Sequence, residues 1–287
     1  MGPMRESGAE IPRIIWFLWF QGIGRAPYVV RKCHDSWVAR NPTWRVVSLG
    51  EEALPAVTSV DYTAGNIGAL SRQHRADLLR LDLLAHHGGV WADATCFCVQ
   101  PLDDWLIPNT ASGLFAFHEP RPDRIISNWF LAAQHGNVLV CRLFDCLLTY
   151  WSDHSFRLGE RQFLVRVLTK ALRASRRTRG WWFSPVIRDW LGASPYFAFT
   201  YAFEKLVRED PECERIWRAT PKISAVAPHH LYRAGLLTPP SAALRSEIDR
   251  REVPVYKTAW NLPEGPVPPD SALGYLFAAA ADGEAIT

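Results

Sequence analysis

Two stretches of the 287-residue chain carry charged side chains in an arrangement that can do chemistry. The first is Arg75-Ala76-Asp77-Leu78-Leu79-Arg80. The second is Gly88-Gly89-Val90-Trp91-Ala92-Asp93-Ala94-Thr95. Asp77 and Arg80 are three residues apart, so on a helix they share a face. By that spacing alone they form an ordinary surface ion pair, worth under about 1 kcal/mol. Their order along the chain says more. A helix with Asp-x-x-Arg leads to a Gly-Gly stop, then to a short apolar strand with Asp93 at its tip. In open α/β sheets, ligands bind beyond the carboxyl ends of the strands. Asp93 therefore falls where such a fold does its chemistry.

The elements that must position these residues are legible as periodicity. Residues 11–20 are apolar, β-branched or aromatic apart from Arg13, without a break from Ile14 on, and read as a strand buried on both faces. Gln21-Gly22-Ile23-Gly24 breaks it. This lone Gly-x-Gly lacks the third glycine of a dinucleotide fingerprint and reads as a tight turn. Pro27 suits the first turn of a helix carrying Val30, Cys33, Trp37 and Val38, which Asn41-Pro42 stops. Residues 44–49 form a second strand, with a helix beginning near Glu51. This β-α-β-α start predicts a parallel sheet with crossover helices. Ser71 caps a helix running to about His87, and Gly88 ends it.

Further along, strands are expected over 115–118 and 125–131, and helices over 138–151 and 161–174. Ser194-Pro195 opens an aromatic-rich helix, read as core. One α/β domain spans 11–262. The Pro- and Ala-rich stretch 263–287 and the polar stretch 1–10 read as loosely ordered termini.

Composition narrows the function classes. Hydrophobic residues make up 48% of the chain, enough for a substantial core, and the 13 tryptophans mainly suit core packing. A net charge of +3 is too small to make nucleic acid the main partner. The longest apolar run, 14–20, falls short of the ~20 residues of a membrane-spanning helix. With no apolar leader visible, the expected location is cytoplasmic. The cluster Arg173, Arg176, Arg177 and Arg179 reads as a solvated helix end. Its second reading is peripheral contact with an anionic acceptor or the inner face of a membrane. Six cysteines without a Cys-x-x-Cys pair read as reduced thiols, and no zinc-ligand spacing occurs. His86-His87 and His229-His230 read as structural or surface pairs.

The chain resembles the capsular polysaccharide synthesis glycosyltransferases. This group is related to the DXD-containing family of yeast initiating mannosyltransferases and the glucosylating domains of clostridial toxins. The resemblance runs from Ile11 to about Asn261. Its parts are Ile-Pro-Arg-Ile-Ile-Trp-x-x-Trp at 11–19, Ala-Asp-x-Leu-Arg at 76–80 and Gly-Gly-Val-Trp-x-Asp-Ala-Thr at 88–95. Asn128-Trp129-x-x-Ala132-Ala133 and Tyr256-Lys257-x-x-Trp260 complete it.

The resemblance implies a GT-A-type, Rossmann-like fold: a mostly parallel sheet flanked by helices, with helical additions in the C-terminal half. It implies transfer of a sugar from a nucleoside-diphosphate donor, UDP favoured over GDP, to a hydroxyl of a glycan or lipid-linked acceptor, with retention. It also implies residue roles. Trp19 stacks on the base. Asp77 and Arg80 hold ribose and sugar hydroxyls. Asn128 lines the sugar pocket, and Lys257, Thr258 and Trp260 close over the donor phosphates. Asp93, Asp77 and Arg80 are the catalytic set. Asp93 with Thr95 and Thr258 would hold Mn²⁺ or Mg²⁺ on the diphosphate.

One departure stands out, because the second carboxylate of DXD falls at Thr95, which is neutral. Thr95 supports a second reading, a non-catalytic nucleotide- or glycan-binding relative. A third, a sugar nucleotidyltransferase, would want a longer Gly-rich basic loop than residues 21–25 supply.

Overall fold

A computed structural model describes residues 10–121, 123–153 and 162–282. Its centre is a five-stranded sheet in the order β2-β1-β3-β6-β5. The strands are β1 (Ile14–Leu18), β2 (Arg45–Leu49), β3 (Gly89–Ala92), β5 (Leu114–Arg121) and β6 (Arg124–Ala133). A separate two-stranded sheet pairs β4 (Cys96–Cys98) with β7 (Val255–Lys257). β1 runs parallel to β2 and β3, while β6 is antiparallel to both β3 and β5. Four of the five central strands therefore share one direction. The fold is α/β with a mostly parallel sheet, as expected.

The continuous apolar runs follow from burial on both faces. Ile15 and Phe17 of β1 pack with Val90, Ala92, Phe115 and Phe130 on one side of the sheet. Trp16 and Leu18 pack with Trp91, Ala116 and Leu131 on the other. Successive strand residues point to opposite faces, so a strand covered on both cannot alternate with polar residues. The second face is covered by the Arg72–His87 helix, through Leu78, Leu79, Leu83 and Leu84, and by the Val138–Ser152 helix.

Ser71 caps the Arg72–His87 helix by accepting from the His74 amide. Gly88 and Gly89 then turn the chain sharply into β3, with φ of +67° and +96°. A Cβ on Gly89 would lie 2.6 Å from the Ile14 carbonyl oxygen, so only glycine lets β3 approach β1 here. Trp16 ties the junction by donating to the Gly88 carbonyl at 2.9 Å.

Several expectations change. The segment from Glu51 is a 3-10 helix, Glu51–Ala56, with Pro55 inside it. The aromatic helix begins at Ala198, after Tyr196 and Phe197. The domain does not end at 262. Within the stretch expected to be a loose tail, Ala272–Asp282 is a helix, and Ala272, Leu273 and Leu276 are buried in the core. Proline-rich composition masked the apolar spacing of Leu273, Leu276 and Phe277. Residues 1–9 and 283–287 lie outside the described residues.

Arg179, expected to be solvated, is buried and donates to both Glu204 oxygens at 2.7 and 2.8 Å. Arg173 pairs with Asp123 at 2.8 Å. All six cysteines are free, and burial pushes the Cys33 thiol up to about 12, leaving it protonated and inert. No helix among the described residues is long and apolar enough to cross a membrane.

Candidate functional site

At the carboxyl end of β3 the chain opens into a cavity of about 700 Å³. Trp19, Asp77, Arg80, Asp93, Thr95, Asn128, Lys257, Thr258 and Trp260 all line it. The nine residues given donor-site roles in the sequence thus line one pocket, although they span 242 positions of chain, from 19 to 260 inclusive.

Arg80 is the hub. It is 4% exposed and leaves the Arg72–His87 helix toward the tip of β3. Its Nη2 lies 3.2 Å from Asp77 Oδ1 and 3.3 Å from Asp93 Oδ1. Its other nitrogens donate to the carbonyls of Ala76 and Asn128. The guanidinium also packs over the rings of Trp91 and Phe199. Asp77 and Arg80 are therefore a buried pair, not the exposed one their spacing alone describes. Phe199, in the aromatic stretch read as core, supplies one wall of that burial.

Asp77 takes a second hydrogen bond, 2.8 Å, from the Asn128 side chain. Asn128 sits in β6, so the strand next to β3 delivers it to the same corner. Burial raises the Asp77 pKa, and the Arg80 charge only partly offsets that.

Asp93 sits just past β3, its amide bonded to the Trp129 carbonyl at 2.9 Å. Its carboxylate is held on both oxygens. Oδ1 accepts from Trp91 Nε1 at 2.8 Å, beside Arg80. Oδ2 accepts from Lys257 Nζ at 2.9 Å. Burial acts to raise its pKa, but the Lys257 and Arg80 charges outweigh it and hold the carboxyl below the usual range. For Lys257, burial acts to lower the pKa, and Asp93 more than compensates, so the ammonium is retained.

Lys257 arrives through the small sheet, where it pairs with Cys96. The same pairing sets Thr258 beside Thr95. The Thr258 amide and hydroxyl both donate to the Thr95 carbonyl, at 2.7 and 3.0 Å. Lys257 Nζ donates to Thr95 Oγ1 at 2.6 Å.

Near the mouth, Trp260 is 55% exposed and meets Trp19 edge to face, with ring centroids 6.3 Å apart. The Trp19 indole N–H is buried without a partner, a donor left for something in the pocket. Sequence reasoning passed over other wall residues, among them Arg121, Arg124, Tyr196, His229, Tyr232 and Arg233. His229, read as a structural or surface histidine, takes the structural role, its ring packing against Trp129 with centroids 5.6 Å apart. No local pattern marks these residues, because they reach the cavity from several separate places in the chain: the facing ends of β5 and β6, the stretch before Ala198, and the turn and short helix at 229–233.

A divalent cation fits this corner poorly. Mg²⁺ wants a near-octahedral shell of oxygens. Among the described residues, no group of three or more His, Cys, Asp or Glu could hold a metal. Asp93 is the sole carboxylate at the Thr95 side, and both its oxygens face donors. Thr258 Oγ1 is buried against the Thr95 carbonyl and Cys33 Sγ. A divalent ion entering about 4 Å from the Lys257 ammonium would meet roughly 8 kcal/mol of repulsion at an intermediate dielectric.

A family model described as capsular polysaccharide synthesis protein matches residues 3–172. The chain belongs to that family. The matched part of the chain contains Trp19, Asp77, Arg80, Asp93, Thr95 and Asn128. It stops before Lys257, Thr258 and Trp260, so the resemblance seen as far as Asn261 reaches beyond it.

Among curated proteins the chain is similar to Glycosyltransferase afumC of Aspergillus fumigatus, 30% identical over 158 residues, 48% of this chain and 40% of that one. It is also similar to O-glycosyltransferase braB of Annulohypoxylon truncatum, 28% identical over 158 residues, 48% and 37% of the two chains. The match thus spans less than half the length of these relatives. Among solved structures, PaToxG Glycosyltransferase aligns with a TM-score of 0.40 and 14% identity, covering 95% of this chain and 87% of that one. The UDP-bound glycosyltransferase domain from the YGT toxin aligns with a TM-score of 0.41 and 10% identity, covering 88% and 92%.

Proposed function

We propose that this protein is a glycosyltransferase that moves a sugar from a nucleoside-diphosphate donor, UDP before GDP, to a hydroxyl of a glycan or lipid-linked acceptor. One observation carries the reading. The family model's match covers a chain segment whose Asp77, Arg80, Asp93 and Asn128 converge at a strand tip in one large pocket, and two curated relatives similar to part of this chain are named glycosyltransferases.

In this reading Trp19 stacks on the base, with Trp260 closing over it from the mouth. Asp77 and Asn128 orient sugar hydroxyls, and Asp77 is itself held by Arg80. The Arg80 and Lys257 charges face the diphosphate. The bond from the anomeric carbon to the β-phosphate oxygen breaks, and its electron pair stays on that oxygen. The acceptor oxygen bonds to the anomeric carbon on the face the diphosphate leaves, which retains configuration. Its proton passes to the departing phosphate oxygen. No protein nucleophile is assigned, so the chain's contribution is positioning and fixed charge. Exposed Arg121 and Arg233 at the rim, beside Tyr232, suit an acceptor with an anionic linkage.

The test is a panel of UDP- and GDP-sugars incubated with the full chain. Release of nucleoside diphosphate from one of them is expected. Asp93→Asn should reduce kcat/KM by about 10²- to 10³-fold while the chain stays folded. Pyrophosphate release would instead favour a nucleotidyltransferase, and near-normal turnover of Asp93→Asn would remove Asp93 from the site.

A further inference from the structure

Lys257 stands where a donor-bound cation would be needed. Its Nζ lies 2.9 Å from Asp93 Oδ2 and 2.6 Å from Thr95 Oγ1. Those are the two positions at which a DXD motif would present its carboxylates. An ammonium has three N–H donors, and two are used here. The third is available to the pocket that Lys257 lines. The corner is also balanced in charge without any ion: Arg80 and Lys257 offset Asp77 and Asp93. A threonine in place of a carboxylate is what this balance requires. A second negative charge at position 95 would leave the corner net anionic and hostile to a diphosphate, unless a metal restored the sign.

We infer that the Lys257 ammonium, seated on Asp93 and Thr95, replaces the divalent metal as the cation at the donor diphosphate, so that donor binding and transfer proceed without added metal. The inference rests on the glycosyltransferase reading above. In the transfer step no additional reactant is required. As the bond from the anomeric carbon to the phosphate oxygen breaks, the charge left on the diphosphate is met by Lys257 with Arg80 behind it. Asp93 acts through Lys257 by holding the ammonium in position. Lysine binds phosphate as a compact point charge, which suits this role.

The test measures UDP and GDP affinity by calorimetry on the full chain, once in chelator and once with Mn²⁺, and repeats both for Lys257→Met and Lys257→Arg. The wild-type affinity should agree within about twofold in the two media, the worth of only a few tenths of a kcal/mol. Lys257→Met should lose roughly 10- to 100-fold, the range of a charge-assisted hydrogen bond. Lys257→Arg should recover part of it. A nucleotide that binds wild type only with Mn²⁺ overturns the inference and leaves the transferase reading standing. So does a folded Lys257→Met with wild-type affinity. If neither nucleotide binds in either medium, both readings fall. The wild-type comparison needs no variant, so a Lys257→Met protein that does not fold leaves the inference decidable.

Discussion

Arg80→Met is the most informative perturbation of the corner, because it separates structural from chemical roles. Methionine keeps much of the volume between Trp91 and Phe199 but removes the charge. Asp77 then loses its partner at 3.2 Å and keeps only the Asn128 bond at 2.8 Å. Both members of the pair are almost fully buried. Breaking a buried pair by deleting one partner costs about 3–5 kcal/mol, since the remaining charge is stranded. Adding Asp77→Asn should return most of that loss, because the amide keeps an oxygen for Asn128 and carries no charge.

The sign with pH follows from Asp77. Its folded pKa is raised above the ordinary 3.8 by burial, so the folded state holds the proton more tightly than the unfolded chain. Stability on its account is highest below 3.8 and falls as pH rises through the raised value. Without Arg80 that value rises further. The Arg80→Met deficit should therefore be larger at neutral than at mildly acidic pH, and the double variant should lose the part of that dependence that Asp77 contributes, while Asp93 still lacks Arg80 in both variants. Urea unfolding of wild type, single and double variants at both pH values measures it. A single-variant loss under about 1 kcal/mol, or a double variant no more stable than the single, would refute the account of Arg80 as the hub of a buried network.

Trp19→Ala should weaken nucleotide binding by about 1–3 kcal/mol if the ring stacks on the base; an unchanged Kd in a folded variant would return Trp19 to a packing role. Truncation before Ala272 should cost several kcal/mol, since buried leucines contribute roughly 1.5–3 kcal/mol each and Leu273 and Leu276 leave together. A thermal melt unchanged by that truncation would show that the helix is not part of the domain's core.

The sequence by itself determined the local features. Two-sided burial forces the central strands to be continuously apolar, so β1 and β3 were legible, though the first strand is Ile14–Leu18 rather than 11–20. Ser71 and Gly88 bound their helix by local hydrogen bonding and backbone freedom, and these put Asp93 at a strand tip. Asp77 and Arg80 share a helix face by arithmetic.

Tertiary structure alone decided what surrounds them. Spacing cannot tell a solvated Asp-x-x-Arg pair from a buried one; Trp91 and Phe199, from different elements, make it buried. Composition made 263–287 look loose, and only the core beneath Leu273 and Leu276 gives that segment a place to fold. Above all, Lys257 meets Asp93 across 164 residues of chain. Nothing local connects them. The antiparallel pairing of β4 with β7 does, and it adds the Lys257 ammonium to an Asp93 carboxylate that Arg80 already meets from the Arg72–His87 helix.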